Sequence, residues 1–352
     1  DASSGRLPGD CVAAEVTVSF GLPKVGLVSY PGAGMVGELV VVDIGIPHFV
    51  AEQTTADCIL LDAEVAAPMV PPRPEDGHKG TFGHLLVLAG STGKSGAAML
   101  AAESGLRGGV GLATLACPAE LQPVVAAGLT EVMTVPLPCL EGQVCLEARD
   151  EVDGLLADKQ ALAIGPGLGL GAESSALARL LVQQKKLPMV VDADGLTALC
   201  DHPELLLERE GLATVLTPHP GEMARLCGLS SAEVQADRFT VARDFAVRYQ
   251  VVVVLKGARS LIACPDGLVM VNSSGHAGLA SGGMGDVLTG LVGSLLAQGL
   301  AAEEAAALAV YLHGAAADRL LLRFGDSGLL ATDVLHELPA ARRALTLGSG
   351  KC

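Results

Sequence analysis

Six runs of almost unbroken apolar residues constrain this chain most: His84–Ala89, Leu112–Ala116, Ala161–Gly165, Met189–Asp192, Thr214–Thr217 and Val251–Leu255. A strand with one wet face alternates apolar and polar residues, whereas a strand covered by helices on both faces is apolar throughout. Between the runs, Ala97–Arg107, Ser174–Gln184 and Ser231–Tyr249 carry helical spacing. The end of the chain reads as helices Asp286–Gln298, Ala302–Arg323 and Thr332–Leu345, the last with Thr332 as N-cap. This alternation predicts an α/β fold with a mostly parallel central sheet and helices on both faces. In such a sheet ligands bind beyond the carboxyl ends of the strands, so chemistry is expected just after each run.

Composition removes several function classes. Asp+Glu 39 against Lys+Arg 23 gives a net charge of −16, with no Trp, 3 Tyr and 6 Phe, which is the wrong balance for tracking or stacking on nucleic acid. No wholly apolar run reaches ~18 residues, because Gln298, Glu303 and Glu304 interrupt the Ala/Leu-rich tail, so no membrane span is expected. Nine scattered cysteines without a Cys-x-x-Cys pair predict neither a disulfide framework nor a zinc site, and read as small buried hydrophobes of a reducing cytoplasm.

Three textures divide the chain. Residues 1–50 hold short apolar runs, Val16 to Phe20 and Leu39 to Ile44, punctuated by Gly and Pro. Residues 51–80 are looser and end in Pro68, Pro71, Pro72 and Pro74, a linker and domain entry, with the boundary expected near residue 50. Residues 81–347, which carry the strand–helix alternation, are expected to form the main unit.

The strongest motif is SGGMGDVLTG, Ser281 to Gly290, opening an apolar helix. Gly282, Gly283 and Gly285 let backbone N–H groups face an anion at a helix N-terminus. Asp286 inside that cradle reads either as a general base on a hydroxyl attacking phosphate or as a helix cap. In TPHPGE (Thr217 to Glu222) two prolines fix His219 and Glu222 enters the next helix, either as a site or as a rigid turn. Lys256 ends the next run, a phosphate ligand or a snorkelling terminus, with Ser260 four residues on. The glycines Gly165, Gly167 and Gly169 allow close backbone approach, and Asp192 and Asp194 either reach Mg²⁺ through water or form a turn.

Two other patterns compete. Ala89 to Gly96 resembles a phosphate-binding P-loop, but Leu88 occupies the position where that motif needs Gly. Gly167, Gly169 and Ala172, followed by Asp192, pass as a dinucleotide fingerprint and support an oxidoreductase, a reading that leaves Asp286, His219 and Lys256 idle.

Taken in order, HKGTFGHLLVLAGS (His78–Ser91), the Gly96-Ala97 helix start, GPGLG (Gly165–Gly169), TPHPGE, LKGARS (Leu255–Ser260) and Asn272–Gly299 resemble the NAD(P)H-hydrate dehydratase family, of ribokinase-like fold, over residues 75–345. The resemblance implies that ADP or ATP phosphorylates a hydrated NADH or NADPH and that loss of the phosphate restores the reduced nicotinamide. It assigns Asp286 as base. It gives Lys256, Gly257, Ala258, Arg259, Ser260 and Gly285 to the nucleotide phosphates. Ala97, Gly167, His219 and Asp286 go to the hydrated dinucleotide, and Mg²⁺ to charge balance. Asn272 lies within the matched run, and the family tends to be oligomeric. Met284 stands where the pattern often has Thr or Ser, and Ser260 where it has Thr. Residues 14–47 are similar to the closing segment of an NAD(P)H-hydrate epimerase domain, so residues 1–50 are expected to be a remnant of a domain whose substrate loop is absent here. A small-molecule kinase of the same superfamily and a silent nucleotide-binding protein are the remaining alternatives.

Overall fold

The computed structural model describes residues 1–47, 50 and 57–348. Its strands are β1 (Val16–Phe20), β2 (Glu38–Val42), β3 (Cys58–Leu61), β4 (His84–Leu88), β5 (Leu112–Pro118), β6 (Met133–Leu137), β7 (Cys139–Leu140), β8 (Gln143–Val144), β9 (Ala161–Ile164), β10 (Met189–Val191), β11 (Thr214–Leu216), β12 (Val252–Leu255), β13 (Leu261–Ala263) and β14 (Val269–Asn272). Ten of them form one sheet in the order β3-β14-β13-β12-β11-β10-β9-β4-β5-β6. Only β13 runs antiparallel to its neighbours.

The unbroken apolar runs have the expected cause. Leu85 and Val87 of β4 enter one core and Leu86 and Leu88 the other, as do Val252 and Val254 against Val253 and Leu255 of β12. Period-two alternation is present, but both faces are dry. The first core is roofed by α1 (Ser95–Arg107), α6 (Met284–Ala297), α7 (Ala302–Phe324) and α8 (Ala331–Gly348), and the second by α2 (Ala172–Val182), α3 (Ala193–Leu199), α4 (Pro220–Cys227) and α5 (Arg238–Tyr249). The eight cysteines among the described residues are all unpaired.

Several expectations need correction. The single helix expected over Ser231–Tyr249 is two, Ser231–Ala236 and α5, because Asp237 leaves helical geometry and its carboxylate accepts from Thr240 N to cap the second. Thr332 lies inside α8, which starts at Ala331, and Asp333 rather than Thr332 accepts from Leu330 N. Within the expected linker, β3 pairs with β14 at the sheet edge, so the main unit reaches back at least to Cys58, while residues 51–56 lie outside the described set. Strands β6, β13 and β14 escaped the sequence reading: β13 and β14 follow β12 with no helix between them, outside the strand–helix alternation, and β6 carries Pro136. Helix α7 is long and apolar enough to cross a membrane by length and composition, yet 67% of its most apolar window is buried in the molecule, where it packs on α6 and α8. It is a core helix.

Residues β1 and β2 stand apart as a two-stranded parallel sheet. Val16, Val18, Phe20, Val41 and Val42 on it are exposed.

Close helix approach sets the position of α6. A Cβ on Gly290 would lie 1.9 Å from the Ala101 carbonyl oxygen of α1, and Ser104 Oγ donates to Val287 O. Gly290→Ala should therefore destabilise by about 1–3 kcal/mol through overpacking. Gly154→Ala, in the helix Arg149–Leu155 with nothing within 4 Å of its Cβ, should stabilise by about 0.5–1 kcal/mol. Denaturant midpoints of the two variants check both signs.

Candidate active site

Strands β9, β10, β11 and β12 lie side by side and parallel, so their carboxyl ends bring four loops together. After β9 the chain turns through Gly165, Gly167 and Gly169, all at positive φ. A Cβ on Gly165 would come within 1.9 Å of the Asp192 carbonyl oxygen, so only glycine lets this loop sit against the β10 turn. Gly167 lies against Lys94 and Ala97 at the start of α1, and Ser91 Oγ donates to its carbonyl at 2.8 Å. Ala97 and Gly167 are thus brought together.

Asp194 and Asp192 follow β10. Gly169 N and Lys94 Nζ both donate to Asp194 Oδ2 at 2.8 Å. Asp192 is almost wholly buried: Lys256 Nζ meets its Oδ1 at 2.8 Å, and Thr289 Oγ1 donates to its Oδ2 at 2.6 Å. Both Asp192 oxygens are thus engaged inside the protein and the side chain is buried rather than presented to a ribose hydroxyl, which weakens the dinucleotide-fingerprint reading.

After β11, His219 caps α4. Its Nδ1 accepts from Gly221 N at 3.0 Å, and Glu222 Oε2 accepts from His219 N at 2.7 Å, a reciprocal capping box. An accepting Nδ1 places the ring proton on Nε2, which faces Glu222 Oε1 at 3.5 Å. The histidine is half exposed but held in one orientation.

After β12 comes Lys256, which is no snorkelling terminus: its ammonium pairs with Asp192 and lies 3.8 Å from Glu222 Oε2. Burial by itself would lower its pKa, but Asp192, Glu222 and Asp286 outweigh burial and raise it, so the charge is kept. The following loop is shaped by Arg238, a residue that sequence reasoning missed. Its guanidinium donates to Leu255 O, Lys256 O and Ala258 O at 3.0, 3.4 and 2.7 Å, and it faces Gly257, whose φ is +144°. Arg259 donates to Ser273 O, and Ser260 Oγ to Gly257 O at 3.1 Å. Asn272 is buried with its amide engaged by Ser274, where it holds a turn.

The first turn of α6 closes the group. Gly283, at φ +88°, is the N-cap, and Gly282 opens to free space. A Cβ on Gly285 would sit 3.3 Å from Lys256 Nζ and 3.6 Å from Asp192 Oδ2, so this turn rests directly on the ion pair. Asp286 is the third helical residue and caps nothing; among the described residues none hydrogen-bonds to its carboxylate. Burial, then Asp192, Asp194 and Glu222, push its pKa up to about 7 against the opposing pull of Lys256. A carboxyl poised near neutrality beside amide donors is suited to taking a proton from a hydroxyl. His313 of α7, also missed, is buried behind this turn, facing the Met284 backbone; burial, then Lys256, push it down to about 4.

The carboxylates do not build a metal cage. No group of three His, Cys, Asp or Glu among the described residues could hold an ion. Each oxygen of Asp192, and Oδ2 of Asp194, already accepts from a donor within the protein.

Comparison with known proteins agrees with this arrangement. The family described as NAD(P)H-hydrate dehydratase matches residues 85–340. A bifunctional NAD(P)H-hydrate repair enzyme of Moorella thermoacetica is 44% identical over 98% of this chain, which spans 65% of that protein's length. An ADP-dependent (S)-NAD(P)H-hydrate dehydratase of Neisseria meningitidis is 43% identical, over 77% of this chain and 87% of its own. Among solved structures, the ADP/ATP-dependent NAD(P)H-hydrate dehydratase of Bacillus subtilis, co-crystallised with ATP/Mg²⁺, superposes with a TM-score of 0.69 at 30% identity, covering 82% of this chain and 98% of that one. With its ribokinase-like sheet and its strand-end cluster of Lys256, Asp192 and Asp286, the chain belongs to the NAD(P)H-hydrate dehydratase family.

Proposed function

We propose that residues 58–347 dehydrate the S epimer of hydrated NADH or NADPH at the expense of ADP or ATP, releasing AMP or ADP and phosphate. The observation that carries this reading is Asp286: an unbonded carboxyl, raised to about 7, in the amide-lined first turn of α6 beside Lys256. Asp286 takes the proton of the ring hydroxyl as its oxygen attacks the terminal phosphoryl group, and the nucleotide leaves. Amides of Gly282, Gly283 and Gly285 and the Lys256 ammonium stabilise the transferred group. Loss of the ester as phosphate, with a proton from the adjacent ring carbon, restores the ring double bond. Gly257, Ala258, Arg259 and Ser260 present the loop that follows Lys256 to the donor phosphates. Ala97, Gly167 and the oriented His219 line the dinucleotide side. Mg²⁺ fits as a counter-ion carried by the donor phosphates and water, since the carboxylates form no chelating cluster.

Residues 14–47 we read as the closing segment of an epimerase domain. The support is the exposed parallel pair β1–β2, since parallel sheets are ordinarily covered on both faces. The parent protein would then epimerise the substrate as well. A homo-oligomer in the cytoplasm is the expected setting.

Incubation with hydrated NADH, Mg²⁺ and ADP or ATP tests the reading: reduced-nicotinamide absorbance should return with stoichiometric phosphate. Accumulation of a stable phosphorylated alcohol would instead establish a kinase. Asp286→Asn should lower kcat by ~10²–10⁴-fold while the ADP dissociation constant stays within about threefold, because the base is lost and the amides remain.

The raised pKa also sets two pH dependences. For the free enzyme, kcat/KM should fall tenfold per unit below about pH 7 as Asp286 protonates. A carboxyl raised on folding contributes stability that is full below its unfolded value and lost as pH rises through about 7. Asp286→Asn should therefore melt higher than the parent at pH 8, by roughly 2–4 °C per kcal/mol relieved, with the gap closing toward pH 4. Calorimetric scans at the two pH values read the sign.

A further inference from the structure

We propose that Thr289 is a positioning residue that holds Lys256 in register with Asp286 through Asp192, an inference that rests on the dehydratase reading above. Four carboxylates, those of Asp192, Asp194, Glu222 and Asp286, surround this corner of the site, and Lys256 can be drawn toward more than one of them. What selects its position is the commitment of Asp192 on both sides. One oxygen takes the ammonium at 2.8 Å and the other takes the Thr289 hydroxyl at 2.6 Å.

Thr289 sits on α6 one turn beyond Asp286 and four residues beyond Gly285, so the same helix face carries the base, the amide cradle and this hydroxyl. The hydroxyl has a single proton and two acceptors in reach, Asp192 Oδ2 and Gly285 O at 3.0 Å. The shorter, charge-assisted contact takes it. Thr289 and Asp192 are both buried, so water cannot readily replace the bond. A chain of contacts thus runs from the α6 backbone through Thr289 and Asp192 to Lys256, joining the helix that bears the base to the strand end that bears the phosphate lysine. Without the hydroxyl, one Asp192 oxygen is left unpaired in a dry site. The carboxylate then turns to give both oxygens to Lys256, drawing the ammonium off the donor phosphate.

The variants Thr289→Val and Thr289→Ser separate this from packing, since valine keeps the shape and loses the hydroxyl while serine does the reverse. Thr289→Val should lower kcat by about 10–100-fold and weaken ADP binding, measured by calorimetry, by about fivefold, with Thr289→Ser within about threefold of the parent on both. Should Thr289→Val not fold, Thr289→Ala must show the same loss of ADP affinity. Full activity in Thr289→Val, or a serine variant impaired more than the valine one, overturns the proposal. A parent chain that binds ADP without turnover removes the dehydratase reading, and the order of ADP affinities then remains the test of Thr289.

Discussion

A buried lysine–aspartate pair is the contact on which the site is assembled. Lys256 follows β12, Asp192 follows β10, and their ammonium and carboxylate meet at 2.8 Å across the intervening β11. Burying two charges is costly unless each is fully bonded. Here the remaining Asp192 oxygen is satisfied by Thr289, and the first turn of α6 comes down on the pair at Gly285. Any side chain larger than hydrogen at Gly285 would crowd the ammonium, so the helix N-terminus, its amides and the base are positioned from below by one ion pair.

The same burial explains why Asp286 is different from its neighbours. Asp192, Asp194 and Glu222 each accept a hydrogen bond within the protein, whereas among the described residues none donates to Asp286. Burial first, and then the carboxylates of Asp192, Asp194 and Glu222, raise its affinity for a proton toward neutrality, and Lys256 limits the rise. The cradle thus combines amide donors that favour an anion with a carboxyl that accepts a proton at ordinary pH. An acidic chain carrying −16 offers little long-range attraction to anionic ligands, which leaves the attraction to these local donors.

The fold supplies the proximity and the glycines permit it. Parallel strands put four loops at one end of the sheet, but the loops interlock only because Gly165 can pass within contact of the Asp192 carbonyl and Gly290 within contact of Ala101. Arg238, reaching from α5 to three carbonyls around Lys256, fixes the shape of the loop that follows it. These contacts join residues 17 to 189 positions apart.

By itself the sequence determined the layered sheet, since doubly buried strands must be apolar throughout, and it marked the strand-end positions of Lys256, His219 and Gly165–Gly169 and the helix start that carries Asp286, because glycines and polar residues just after apolar runs sit where such a sheet binds ligands. The strand Leu261–Ala263 and the break at Asp237 were not visible, as that strand follows β12 without a helix between them, outside the strand–helix alternation, and a polar residue inside a helical pattern is ordinary. Which carboxylate is free and which is spent was decided only by tertiary structure. Asp192 and Asp286 look alike in a chain, but pairing is a through-space property: one found Lys256 and Thr289, residues 64 and 97 positions away, and the other was left facing the site.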